Sequence, residues 1–128
     1  MYYRKWYAYP MVDETIDLAA LAKHMEEHNS GFSEAMCLGV MKAMVRCIKE
    51  QVLAGKNVKI DDLAIFSVGL KNTVGGANSA EEFTASANIS GVKLRARATG
   101  ILRSSVLNMD ATLKKVSASP QPTAEGGV

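Results

Sequence analysis

The stretch SEAMCLGVMKAMVRCIKEQVLAG, residues 33–55, decides how the rest of the chain is read. Laid out as a helix, it places Gly39, Lys42, Arg46, Lys49 and Glu50 in one polar stripe. Met36, Cys37, Val40, Met41, Ala43, Met44, Val45, Cys47, Ile48 and Val52 fill about 220° of the remainder, where a surface helix shows an apolar stripe nearer to about 100°. Such a width calls for burial on two sides, by the helix's own chain and by a second copy of it, so the residues predict a dimer. Val40, Met41, Met44, Cys47 and Ile48 are the expected dimer core. The helix ends are marked too: Ser33 can cap the first amides, Phe32 and Cys37 stand where a hydrophobic staple would, and Gly55 supplies a left-handed stop.

Toward the N-terminus, Asn29, Ser30 and Gly31 predict the turn that joins this helix to an earlier one. That first helix is expected from Leu18 to about His28, capped by Asp17, with Ile16 and Leu21 as its staple and Leu18, Leu21, Ala22 and Met25 as its buried face. The pair forms a helix-turn-helix unit. Residues 1–10, MYYRKWYAYP, carry five of the eight aromatic residues, and these β-formers with a closing proline predict an extra extended strand. Its rings have two uses: stacking on bases, given Arg4 and Lys5 among them, or packing as an edge strand on the body.

Beyond Gly55 the hydrophobic period changes from 3.6 to 2. Val58 and Ile60 alternate with Lys59 and Asp61, and Leu63, Ala64, Ile65, Phe66, Ser67 and Val68 continue in β-formers, which predicts two short strands. Residues 71–91 are small and polar around Gly75 and Gly76, and a connection of this length in a compact domain is usually either functional or disordered. As a hairpin of about ten residues a side it would reach about 30 Å. Val92, Leu94, Ala96 and Ala98 then alternate with Lys93, Arg95 and Arg97, a half-buried strand with a wholly cationic outer face. Thr99 is expected to cap a short helix holding Ile101, Leu102, Val106 and Leu107, and Leu113, Lys114, Lys115 and Val116 to close the fold. Residues 117–128 lack an apolar pattern and are expected to be a disordered tail.

At 128 residues the chain is one domain, residues 1–116, plus this tail. The net charge of +2 conceals an uneven distribution: residues 1–55 hold six Lys/Arg and seven Asp/Glu, whereas residues 89–115 hold six Lys/Arg against Asp110 alone. A concentration of positive charge implies an anionic partner. No apolar run is long enough to span a bilayer and no signal core begins the chain, so a soluble, cytoplasmic protein is expected. Cys37 and Cys47 lie about 15 Å apart along one helix, too far to bridge, and are expected as reduced core residues. His24, Glu27 and His28 fit the H-x-x-E-H spacing of some zinc peptidases, but no third ligand accompanies them and a packed histidine is the ordinary reading. No nucleophile elbow, phosphate-binding glycine loop or catalytic carboxylate pair is found. The reading is therefore of a protein that is not an enzyme and takes no metal, cofactor or small-molecule substrate.

Two helices, a β-ribbon, an arm, a basic returning strand and a last helix, in an α+β chain expected to dimerise, resemble the HU/IHF family of bacterial histone-like DNA-binding proteins. The residues carrying the resemblance are GKNVKIDDLAIFSV, residues 55–68, and GVKLRARATG, residues 91–100. It covers residues 18–116 and is closest to the HU-like branch with an extra N-terminal strand and a C-terminal tail. The resemblance implies an intertwined homodimer whose arms embrace and bend duplex DNA with little sequence preference, in nucleoid organisation. It also implies that Lys71, Lys93, Arg95, Arg97 and Arg103 face phosphates. Five such contacts per subunit, half to all of them formed, give a slope of log K against log salt of about −5 to −9. The family's Arg-Asn-Pro arm tip has no counterpart here, since residues 71–91 contain neither proline nor arginine and do contain Glu81 and Glu82. Ala64 stands where a glycine is usual, and Phe83 is the available substitute wedge. An HU-like scaffold for a protein partner, using the acidic arm and the aromatic N-terminus, is the alternative function.

Overall fold

The computed structural model describes residues 5–28 and 31–116. Helix α1 (Leu18–Glu27) starts where Asp17 directs it, the aspartate carboxylate accepting the Ala20 amide at 2.9 Å. Helix α2 (Glu34–Leu53) starts at Ser33, whose hydroxyl accepts the Met36 amide at 3.1 Å. Its end is made by Gly55 at φ 86°, which turns the chain so that the Lys56 amide donates to the Gln51 carbonyl. Both ends of α2 thus follow from the capping residues in the sequence. The Glu26 carboxylate adds a tie between the helices by accepting the Glu34 amide at 3.0 Å. Asn29 and Ser30 of the expected turn lie outside the described residues.

Three antiparallel strands follow, β1 (Val58–Ile60), β2 (Ala64–Asn72) and β3 (Ile89–Ala98), in the order β1-β2-β3. The register pairs Phe66 with Val58 and Ala96, Val68 with Leu94, and Leu70 with Val92, so one face is apolar. That face meets α2, where Met44, Ile48 and Val52 line a groove shared with Phe66, Val68 and Leu94. The chain closes with a 3-10 turn (Gly100–Leu102) and helix α4 (Ser104–Asp110).

Only half of the apolar surface of α2 is used. Cys37 and Val52 are buried and Met41, Met44 and Ile48 half-buried, while Met36, Val40 and Cys47 on the next stripe are exposed, Val40 by 63%. Of the expected dimer core, then, Met44 and Ile48 already line the groove with this chain's own sheet, Met41 is half-buried, and Val40 and Cys47 are exposed. Cys47 is not a core residue of the single chain. Apolar burial among the described residues is confined to Ala22, Cys37, Val52 and Ala64, all small or medium side chains.

Four expectations change. Residues 5–10 form no strand, because no strand of this chain runs beside them, and residues 1–4 lie outside the described residues. The hairpin arm is shorter than supposed: the β2/β3 ladder ends at Asn72 opposite Ile89, with an irregularity at Lys71 and Asn72. Beyond it, residues 73–88 fold into a tip containing a short helix α3 (Ala85–Asn88). Buried Asn88 organises this tip: its side-chain oxygen accepts the Thr84 amide at 2.9 Å and its backbone carbonyl accepts the Thr73 amide at 3.0 Å. Small polar side chains satisfying backbone groups locally displace the ladder. Thr99 does not cap a helix through its hydroxyl, and residues 111–116, with Leu113 and Val116 exposed, do not pack on this chain. The tail, residues 117–128, lies outside the described residues.

Candidate nucleic-acid interface

The second face of the sheet gathers the cations. Period-two alternation along β3 sends Lys93, Arg95 and Arg97 to the side opposite Leu94 and Ala96, about 7 Å apart along the strand. The register sets Arg97 opposite Ile65, Arg95 opposite Ser67, Lys93 opposite Gly69 and Lys71 opposite Gly91. On the next strand Lys59 pairs with Ile65, so it stands in line with Arg97 across three strands. Lys59 is the residue that reading the sequence for contacts overlooked. Its signal was present in the Val58 and Ile60 alternation, which commits residue 59 to the outward face.

Local geometry shapes this surface. A Cβ on Gly69 would fall against Arg95, with Cζ at 3.0 Å and Cδ at 3.1 Å, so the absent side chain gives the guanidinium a flat bed across β2. Arg103 lies at the end of the sheet, its Nε donating to the Gly100 carbonyl at 3.4 Å, and lines an open concavity with Lys59, Arg97, Ser104 and Ser105.

A latch fixes that end. The Thr99 hydroxyl donates to the Ile60 carbonyl at 2.9 Å and accepts the Leu63 amide at 3.1 Å, while the Thr99 amide donates to the Leu63 carbonyl. Asp62, at φ 63°, accepts the Ile101 amide at 3.0 Å. Gly100, at φ 56°, passes so close that an added Cβ would lie 2.8 Å from the Asp62 Cα. The β1–β2 loop and the exit from β3 are therefore one unit, which carries Lys59, Arg97 and Arg103 together.

Carboxylates are scarce on this face. Lys59 approaches Asp61 at 4.0 Å, an exposed pair of the kind that contributes little, and no ion pair engages Lys71, Lys93, Arg95, Arg97 or Arg103 among the described residues. Asp62 is committed to the latch. Glu81 and Glu82 are exposed in the tip, where the Glu82 amide donates to the Ser79 hydroxyl. Away from the sheet, the rings of His24 and His28 meet edge to face at 4.7 Å, and no group of three metal-ligating side chains forms among the described residues.

A family model described as an HU domain fused to wHTH, Ig, or a glycine-rich motif matches residues 3–114. The chain belongs to this HU-HIG family. No curated protein matches the HU-HIG chain. Among solved structures it is similar to the crystal structure of a candidate bacterial DNA-binding protein from Bacteroides vulgatus ATCC 8482, at 15% identity and a TM-score of 0.58. The likeness covers 76% of the HU-HIG chain and 38% of that protein, so the chain spans well under half of the relative's length. Family and shared fold agree with the α+β, HU-like architecture read from the sequence.

Proposed function

We propose that this HU-HIG domain acts as a homodimer that binds duplex DNA through its phosphate backbone, with weak sequence preference and no catalytic step, as an architectural protein of the bacterial nucleoid. The observation that carries the reading is the gathering of Lys59, Lys71, Lys93, Arg95 and Arg97 on one sheet face, with Arg103 at its end. Each cation that neutralises a phosphate releases a counterion, and cations alone position a protein without reading bases. With six cations per subunit and half to all of them engaged, log K falls against log salt with a slope of about −5 to −11. The homodimer is supported by the unused stripe of α2, on which Met36, Val40 and Cys47 are exposed. On this reading the protein works in the cytoplasm, and no helix among the described residues is long and apolar enough to cross a membrane.

The tip favours a second reading. It carries Glu81 and Glu82 and no cation, a composition suited to a protein partner in place of phosphate. Fluorescence anisotropy with a random 30-base-pair duplex at about 50 and about 200 mM salt separates the two. Binding that is tight at low salt, weakens by orders of magnitude at high salt and is lost in the Arg95→Ala/Arg97→Ala variant, with circular dichroism unchanged, is expected. Absent binding at both salts, or binding indifferent to salt, would overturn the DNA reading.

A further inference from the structure

Strand β3 is the last strand of the sheet, and along Ile89–Ala98 its outer edge pairs with no strand among the described residues. A long edge of free amides and carbonyls is a template for another strand. The opposite edge, β1, offers only three residues. The same chain holds a segment with the composition of a strand and no strand to pair with: residues 5–9, KWYAY, in which Trp6 and Tyr7 are 68% and 69% exposed.

The two match in pattern. Beside its cationic face β3 presents Val92 and Leu94, 55% and 61% exposed, on the apolar face. The segment alternates Trp6 and Ala8 with Lys5, Tyr7 and Tyr9. Added parallel to the edge with Trp6 beside Val92 and Ala8 beside Leu94, it covers exposed aliphatic surface with the protein's one tryptophan. The same placement sets Tyr7 and Tyr9 beside Lys93 and Arg95, where ring faces attract cations, and adds Lys5 to the cationic face. The opposite placement buries Lys5 and leaves Trp6 among charges. Both surfaces belong to one chain, in which residues 5–9 join no strand of the described sheet and Trp6, Val92 and Leu94 stay exposed, so the segment that fits the edge is assigned to a second copy.

We propose that residues 5–9 of one protomer add as a strand to the β3 edge of its partner, and reciprocally. The inference rests on the homodimer reading. Under two-fold symmetry two edges and two segments saturate each other, so the exchange closes without forming a fibre. Five residues span about 17 Å, half of β3, and Pro10 ends the added strand.

Isotope-filtered nuclear Overhauser spectroscopy on mixed dimers of labelled and unlabelled full-length chains tests this, read together with hydrogen exchange of the β3 amides and sedimentation. Contacts between the Trp6 indole of one chain and the Val92 methyls of the other are expected. So is protection of the outward β3 amides that falls by at least about tenfold in Tyr7→Pro, which removes an amide donor. Trp6–Val92 contacts found only within one chain would overturn the exchange in favour of a chain closing on itself. A sedimenting dimer with free exchange along the β3 edge would overturn the docking and leave the dimer standing. A monomer by sedimentation would overturn the dimer reading and this inference with it.

Discussion

Two glycines of similar sequence context carry opposite obligations. Gly100 sits at φ 56° with the Asp62 backbone against its missing side chain, so Gly100→Ala meets both strain and a neighbour that cannot yield. A loss of about 1–3 kcal/mol is expected, read as a drop of about 4–10 °C in Tm. At Gly69 the obstructing atoms are the far end of the Arg95 side chain, which can move. Gly69→Ala is therefore expected to leave Tm nearly unchanged while displacing the guanidinium and weakening DNA binding at low salt. Thr99→Val keeps the shape but strands the Ile60 carbonyl and the Leu63 amide, and is expected to cost about 1–3 kcal/mol by thermal denaturation. None of these roles was legible in the sequence. Thr99 looked like a helix cap because caps are local, whereas its real partners lie 36 and 39 residues away and leave no trace in the neighbouring residues.

Elements were legible wherever their limits are set locally. The bounds of α1 and α2 follow from Asp17, Ser33 and Gly55, each of which acts within one helical turn. β2 runs on through Gly69 and Lys71, poor strand formers, because β3 pairs with them in register as far as Lys71, and that support is invisible from β2 alone. The tip was mistaken for a plain hairpin because its order rests on one buried side chain, Asn88. Its chemistry leads to a prediction. If the tip approaches phosphates, Glu81 and Glu82 repel them, so Glu81→Gln/Glu82→Gln is expected to raise DNA affinity at low salt, with the gain vanishing as salt screens it. Unchanged affinity in the anisotropy assay would place the tip away from the duplex.

At the scale of the whole molecule, the proposed homodimer makes folding and assembly one equilibrium, because the single chain encloses so little. Tm is expected to rise with protein concentration in calorimetry. Met44→Glu, which puts a charge into the groove between α2 and the sheet, is expected to abolish assembly and helicity together; a folded, monomeric Met44→Glu variant in sedimentation would contradict two-sided burial. The sheet itself follows a rule of parity. Even-numbered residues, from Val58 and Ile60 through Phe66 and Val68 to Leu94 and Ala96, share the face toward α2, and odd-numbered ones, from Lys59 through Lys71 to Lys93, Arg95 and Arg97, share the cationic face. Deleting Ala96 alone would exchange the two sets for the preceding half of β3, turning Lys93 and Arg95 inward and Leu94 outward. Deleting Arg95 and Ala96 together would remove one charge, shorten the ribbon and leave every remaining residue on its own side. For this molecule, a frame of two within the protein makes the loss of one residue a graver lesion than the loss of a pair.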